Sequence, residues 1–254
     1  MRRFPGLAAV LVAVLILIAL TAVGPGSRVG LAQEATPRAA GAVLPPDAEV
    51  GGHDLGEWSA RSWQWFFSLP QAVNPYFDET GEICGYGQSG PVFFLAGAER
   101  SLERSCVVPE GAYVFVPLLG SECSTVEPPP FFGRNEAELR ACASNAVDMA
   151  EGAFDMSAMR LTLDGETIAD LSPYRAATPR FALWLPEDNL LGAEQRVADS
   201  VADGYQVMLN PLSEGDHEVV IAIPGPETTT ITYRLTVVSG AVAATGEPGA
   251  TPSS

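Results

Sequence analysis

Apolar positions in this chain fall into three patterns: one long run from Leu7 to Val23, two stretches at helical spacing, and many short alternating or wholly apolar segments. The first helical stretch covers 54–69, where Leu55, Trp58, Trp63, Trp65, Phe66, Phe67 and Leu69 occupy most of the circumference. Only Glu57, Arg61, Gln64 and Ser68 form a polar face, with Glu57 and Arg61 spaced to pair. Asp54 followed by Glu57 has the capping-box spacing, and Pro70 ends the segment. A helix this apolar is buried on two sides, so its tryptophans are expected to point inward. A second helix is predicted over 135–150, capped by Asn135 with Glu138 three residues on, and striped by Leu139, Cys142, Ala143, Ala146 and Met149.

The remainder reads as strand and turn. Pro91–Ala96 and Ala112–Leu118 are short apolar runs bounded by glycine. Met159–Leu163 leads through Asp164-Gly165, a strong hairpin signal, into Glu166–Ile168. Tyr205–Leu209, His217–Ile223 and Thr230–Val238 follow, and in the last Ile231, Tyr233, Leu235 and Val237 alternate with Thr232, Arg234 and Thr236. Short strands without intervening helices predict a mainly β chain: a single β-sandwich, Ig-like or jelly-roll-like, over 51–239, with two accessory helices.

The ends carry different information. Arg2 and Arg3 precede the apolar run, and Gly30-Leu31-Ala32 has the small residues of a signal cleavage site, so 1–32 reads as a signal peptide of a secreted protein. The run also approaches the roughly twenty residues that span a bilayer, which keeps an uncleaved anchor facing outward as the alternative. Segments 33–50 and 240–254, rich in Ala, Pro, Gly and Thr, are predicted to be a disordered lead-in and tail.

Charge excludes some partners. All 31 acidic residues lie beyond the leader, which removes three of 14 arginines, so the remainder carries 11 − 31 = −20. Such a surface repels phosphate backbones and anionic headgroups, so no nucleic-acid partner is expected, and membrane contact only through an uncleaved leader. Cys84, Cys106, Cys123 and Cys142 predict two disulfides in an oxidising compartment; short loops favour Cys84–Cys106 with Cys123–Cys142. A zinc site is the rival reading, but the chain has no C-x-x-C pair and only two histidines.

Gly56-Glu57-Trp58 with Trp63 and Trp65, Gly87-Gln88-Ser89-Gly90-Pro91 running into Phe94-Leu95-Ala96-Gly97, Arg104-Ser105-Cys106, Leu185-Pro186-Glu187-Asp188-Asn189, Asp203-Gly204-Tyr205, and Pro211-Leu212-Ser213 with Gly215 and His217 resemble a family of uncharacterised exported bacterial proteins. The resemblance covers most of 51–239 and departs at Phe93 and Gln206, where it leads one to expect tryptophan. It implies one exported domain and brings no catalytic residues with it.

Candidate chemistry is sparse. His53 beside Asp54 has the residue types of a general base with a carboxylate neighbour, but reads more simply as a loop histidine at a helix cap. His217 reads as a satisfied histidine at a strand entrance, and Ser89 as a turn residue one position short of a nucleophile elbow. Asp78 with Asn74 and Glu82 offers oxygens to calcium without an EF-hand spacing, so only weak Ca2+ binding and no cofactor is expected. Trp58, Trp63 and Trp65 are the candidates for ligand contact should the first helix present them to a sugar ring or a membrane. The function these features predict is a non-catalytic extracellular or cell-envelope binding or structural module, with an unidentified ligand or protein as partner. The alternative is a secreted hydrolase of cell-wall or environmental glycans, since 31 acidic residues place some carboxylate pair near a working separation.

Overall fold

The computed structural model describes residues 41–240 apart from Ala169; the predicted signal peptide, the first eight residues of the lead-in and all but the first residue of the tail lie outside them. Two mixed sheets pack face to face as a β-sandwich, confirming the predicted mainly β class. One sheet has the order β1 (Val92–Phe94), β3 (Tyr113–Ser124), β7 (Val197–Leu209), β6 (Phe181–Trp184). The other has the order β2 (Leu102–Pro109), β9 (Thr229–Val238), β8 (Gly215–Ile223), β4 (Arg160–Leu163), β5 (Glu166–Ile168). The β1–β3 and β2–β9 pairings are parallel, which separates this sandwich from a purely antiparallel one.

Alternation along the strands sorts side chains into layers. Val114 and Val116 of β3 and Val207 and Leu209 of β7 meet Ile221, Ile231, Tyr233 and Leu235 of the second sheet. Phe115 and Met208, one residue out of phase, face the opposite way, onto helix α1 (Leu55–Ser68). Helix α2 (Glu136–Ala153) covers the far end of the first sheet through Leu139 and Ala143 against Cys123 and Val201. The sequence pattern of α2 needs one correction: Val147 is buried, whereas Met149 is 75 % exposed.

Local rules account for the ends of these elements. The Asp54 side chain accepts from the Glu57 N–H at 2.8 Å while Glu57 accepts from the Asp54 N–H at 3.0 Å, closing the capping box on α1. Asp164 (φ 52°) and Gly165 (φ 81°) make the β4–β5 hairpin turn that their dipeptide predicts. The disulfides join Cys84 to Cys106 and Cys123 to Cys142, with Cα separations of 5.7 and 6.2 Å, as short loops favour. They place the domain in an oxidising environment.

Two expectations fail. The lead-in is ordered from residue 41: Val43 bridges to Leu209, the Leu44 N–H donates to Met208 O, and Val50 is buried. Strands β2 and β6 carry no simple alternating signal, and β7 begins at Val197, well before the predicted Tyr205. Among the described residues no helix is long and apolar enough to cross a membrane.

Candidate functional site

The site is an aromatic cavity of about 400 Å3 between α1 and the face of the first sheet that carries Phe115 and Gln206. Its origin lies in a break in the sheet. Between Pro117 and Leu119 the β3–β7 register shifts by a bulge, and beyond it Gly120 faces Gly204 across the ladder. A Cβ on Gly204 would lie 2.5 Å from the Gly120 Cα and 2.4 Å from the Leu119 carbonyl oxygen, so the two backbones touch and leave no side chains to fill the space above them. Trp63 from α1 reaches over Gly120 instead.

Aromatic rings make the wall. Trp63 meets Phe66 edge-on at 6.0 Å, and Phe66 meets Tyr76 edge-on at 6.5 Å, giving a continuous row. All three are half-buried and line the cavity. The Tyr76 hydroxyl donates to Glu99 at 3.2 Å, at the exposed rim. The Glu99 charge, followed by burial, pushes the Tyr76 hydroxyl above its ordinary range. No arginine is among the lining residues; the neighbouring Arg100 instead pairs with Glu79 at 2.6 Å. Gln206 lies at the base, donating to Ala176 O at 2.9 Å. A hollow of about 480 Å3 is lined instead by residues of Met156–Arg160, the end of β5 and Asp170–Ser172, and its aromatic lining residue, Tyr205, donates to Glu151 at 2.7 Å.

The three candidate tryptophans separate. Trp58 and Trp65 are buried core residues, their indole N–H groups donating to Val50 O at 2.9 Å and Tyr86 O at 3.0 Å. Trp63 alone reaches the cavity as a half-buried ring, and the exposed tryptophan is Trp184, at 60 %. Trp184 sits opposite Val197 (59 % exposed) at the edge strand, a placement no pattern in the sequence announces.

The two histidines are engaged structurally. Arg61 donates to His53 Nε2 at 2.9 Å, so the ring proton sits on Nδ1, 3.3 Å from Glu57, while Asp54 is occupied as the helix cap. His217 has the outline of a catalytic triad, with Asp164 2.8 Å from Nδ1 and Ser213 Oγ 3.3 Å from Nε2. Nε2 also lies 2.9 Å from the Ser213 carbonyl oxygen, which can only accept. It therefore donates there and has no lone pair to take a proton from the serine.

Two of the three residues considered for calcium, Asp78 and Asn74, are engaged by their own loop and the end of α1. Asp78 accepts backbone N–H groups from Gly81 at 2.7 Å, Ile83 at 2.9 Å and Thr80 at 3.1 Å. Burial pushes this carboxyl up, but those three donors outweigh it and hold it below its ordinary range. The Asn74 carboxamide is spent on Phe66 O and the Tyr76 N–H, and Glu82 is exposed. Among the described residues no group of three or more His, Cys, Asp or Glu is placed to hold a metal ion.

Among the described residues, Glu122 and Glu127 form a carboxyl pair in direct contact. Buried Glu122 and partly buried Glu127 hydrogen-bond to each other, Ser200 donates to Glu122, and Ser124 donates to Glu127 at 2.8 Å. Burial, then the Glu127 charge, pushes the Glu122 carboxyl well above its ordinary value; burial raises Glu127 too. Carboxyls in direct contact leave no room for a glycosidic bond, which needs about 5 Å between them.

The quoted motifs do structural work. Gly56 admits the Ala177 carbonyl, Gln88 pairs with both backbone groups of Phe94 at 2.8 and 3.0 Å, and Asn189 ties its loop to Pro186 and Ala193. Asp203, with Asp148 and Glu151, surrounds Arg175 at 2.7–2.9 Å and ties α2 to β7. Sequence reasoning misses Phe66, Tyr76 and Glu99, which share no local pattern.

No protein-family model matches the chain, and no curated protein matches it. The solution structure of Amebosin aligns at 12 % identity over 56 % of this chain and 100 % of that one, with a TM-score of 0.18, too low to bear on fold or function.

Proposed function

We propose that the chain is an exported, non-catalytic binding module that holds a small molecule of largely apolar surface in the cavity beneath α1. The observation that carries this reading is the cavity itself: about 400 Å3, walled by Trp63, Phe66 and Tyr76, with a lining more apolar than polar. That volume and lining are those of small-molecule sites in general. The disulfides and the leader support a role outside the cytoplasm.

Isothermal titration with benzyl alcohol, benzyltrimethylammonium and phenylacetate tests it, since the three share a ring and differ in charge. Saturable binding of at least one probe, weakened by Trp63→Ala and by Phe66→Ala, is the expected result. Absence of binding by all three, or binding indifferent to both substitutions, overturns it.

A further inference from the structure

We propose that the cavity takes a small organic cation, a quaternary or alkylated ammonium ion, with its charged group against the row Trp63–Phe66–Tyr76 and facing Glu99. This rests on the binding role proposed above and adds the sign of the ligand's charge.

Three observations point the same way. First, the wall is made of ring systems, whose faces are electrostatically negative and attract a cation that is too large and too weakly hydrated to need water. Trp63, Phe66 and Tyr76 are contiguous and only half-buried, with Phe67 stacked on one face of Trp63 at 5.7 Å. Second, the one carboxylate lining the cavity, Glu99, stands at its rim, tied to the end of the aromatic row by Tyr76. A fixed anion beside aromatic faces is the arrangement that compensates a cation on entry. Third, no arginine competes from the lining, and Arg100 is turned to Glu79. The acidic body, at −20 beyond the leader, adds a field that favours cations over anions at the mouth. A neutral molecule of the same shape would gain the apolar contacts but neither the ring faces nor Glu99. An anion would face Glu99, while the nearby Arg100 is paired with Glu79.

Choline, 3,3-dimethylbutan-1-ol and 3,3-dimethylbutyrate separate these cases, because the first two are nearly isosteric and differ by the charge on one atom. Titration calorimetry of the protein at about 0.15 M salt is expected to show choline binding at least about tenfold tighter than the alcohol, and the butyrate weakest of the three. Glu99→Gln keeps an acceptor for Tyr76 and removes the charge, so it should bring the choline-to-alcohol ratio towards unity. Trp63→Ala should weaken choline about tenfold or more. Glu99 is exposed, so its variant is expected to keep the parent melting temperature and remains informative if Trp63→Ala folds poorly. If the alcohol binds as well as choline, the cation reading falls while the binding module stands. A choline preference unchanged in Glu99→Gln also overturns the site as described. If neither choline nor the alcohol binds and the three ring probes also fail, both proposals fall together.

Discussion

Arg104 of β2 and Tyr233 of β9 are register partners on neighbouring parallel strands, and the guanidinium donates to the phenol oxygen at 2.8 Å. The same guanidinium donates to Asp78 O at 2.7 Å, Pro75 O at 2.8 Å and Ala96 O at 2.9 Å, all in the long connection between α1 and β2. At 1 % exposure, this one side chain fastens that connection to the sandwich. Arg104→Ala would leave buried carbonyls without donors, so a loss of about 3–5 kcal/mol is expected by urea unfolding. Arg104→Lys should recover only part of it, because an ammonium cannot copy the planar fork.

Burial divides the tryptophans of α1. Trp65, buried and hydrogen-bonded to Tyr86 O, should cost about 3–5 kcal/mol on truncation to alanine. Half-buried Trp63 should cost less, about 1–2 kcal/mol, because part of its surface is already wet. Thermal unfolding of both variants checks the order; equal losses would place Trp63 in the core.

The Glu122–Glu127 pair should make stability fall as pH rises. A carboxyl whose folded pKa lies above its unfolded value binds its proton more tightly in the native state. Its contribution is complete below the unfolded value and is lost as pH climbs through the folded one, so the window opens near the ordinary glutamate pKa and extends upward. Glu122→Gln removes this titration and should stabilise the protein at pH 7 by about 1–3 kcal/mol, with little effect near pH 4. A melting-temperature difference independent of pH would refute it.

The disulfides close short loops, with sequence separations of 22 and 19. Chain entropy assigns each about 3 kcal/mol. Alkylation without reductant should add no mass, and the double variant Cys123→Ser/Cys142→Ser should lower the urea midpoint by a corresponding amount.

Elements whose local chemistry agrees with their packing are legible in the sequence: the capped α1, the Asp164-Gly165 hairpin and the alternating β9. Strand β2 is not, because an inward position is filled by Arg104, and a charge there breaks the apolar alternation of Leu102, Cys106 and Val108. The first half of β7 hides for a related reason, since Ser200 and Asp203 are buried polar residues held by Glu122 and Arg175. The cavity has no sequence signature at all. Its walls come from α1, the turn after it, the β3 bulge and the segment after β1, which only the tertiary fold assembles. Asp78 illustrates the converse: an acidic turn with calcium-like composition proves to be the anchor of its own loop.

The partnership of β2 with β9 also sets when the fold can close. Arg104 waits for a hydroxyl 129 residues downstream, and β9 separates β2 from the rest of its sheet. A chain growing from the ribosome therefore carries β2 as an unpaired strand, its guanidinium hydrated, until Val238 has emerged. Contacts of such long range form slowly and late. Until β9 is made, the polypeptide lacks the strand that would lock β2 in place, and it stays threadable.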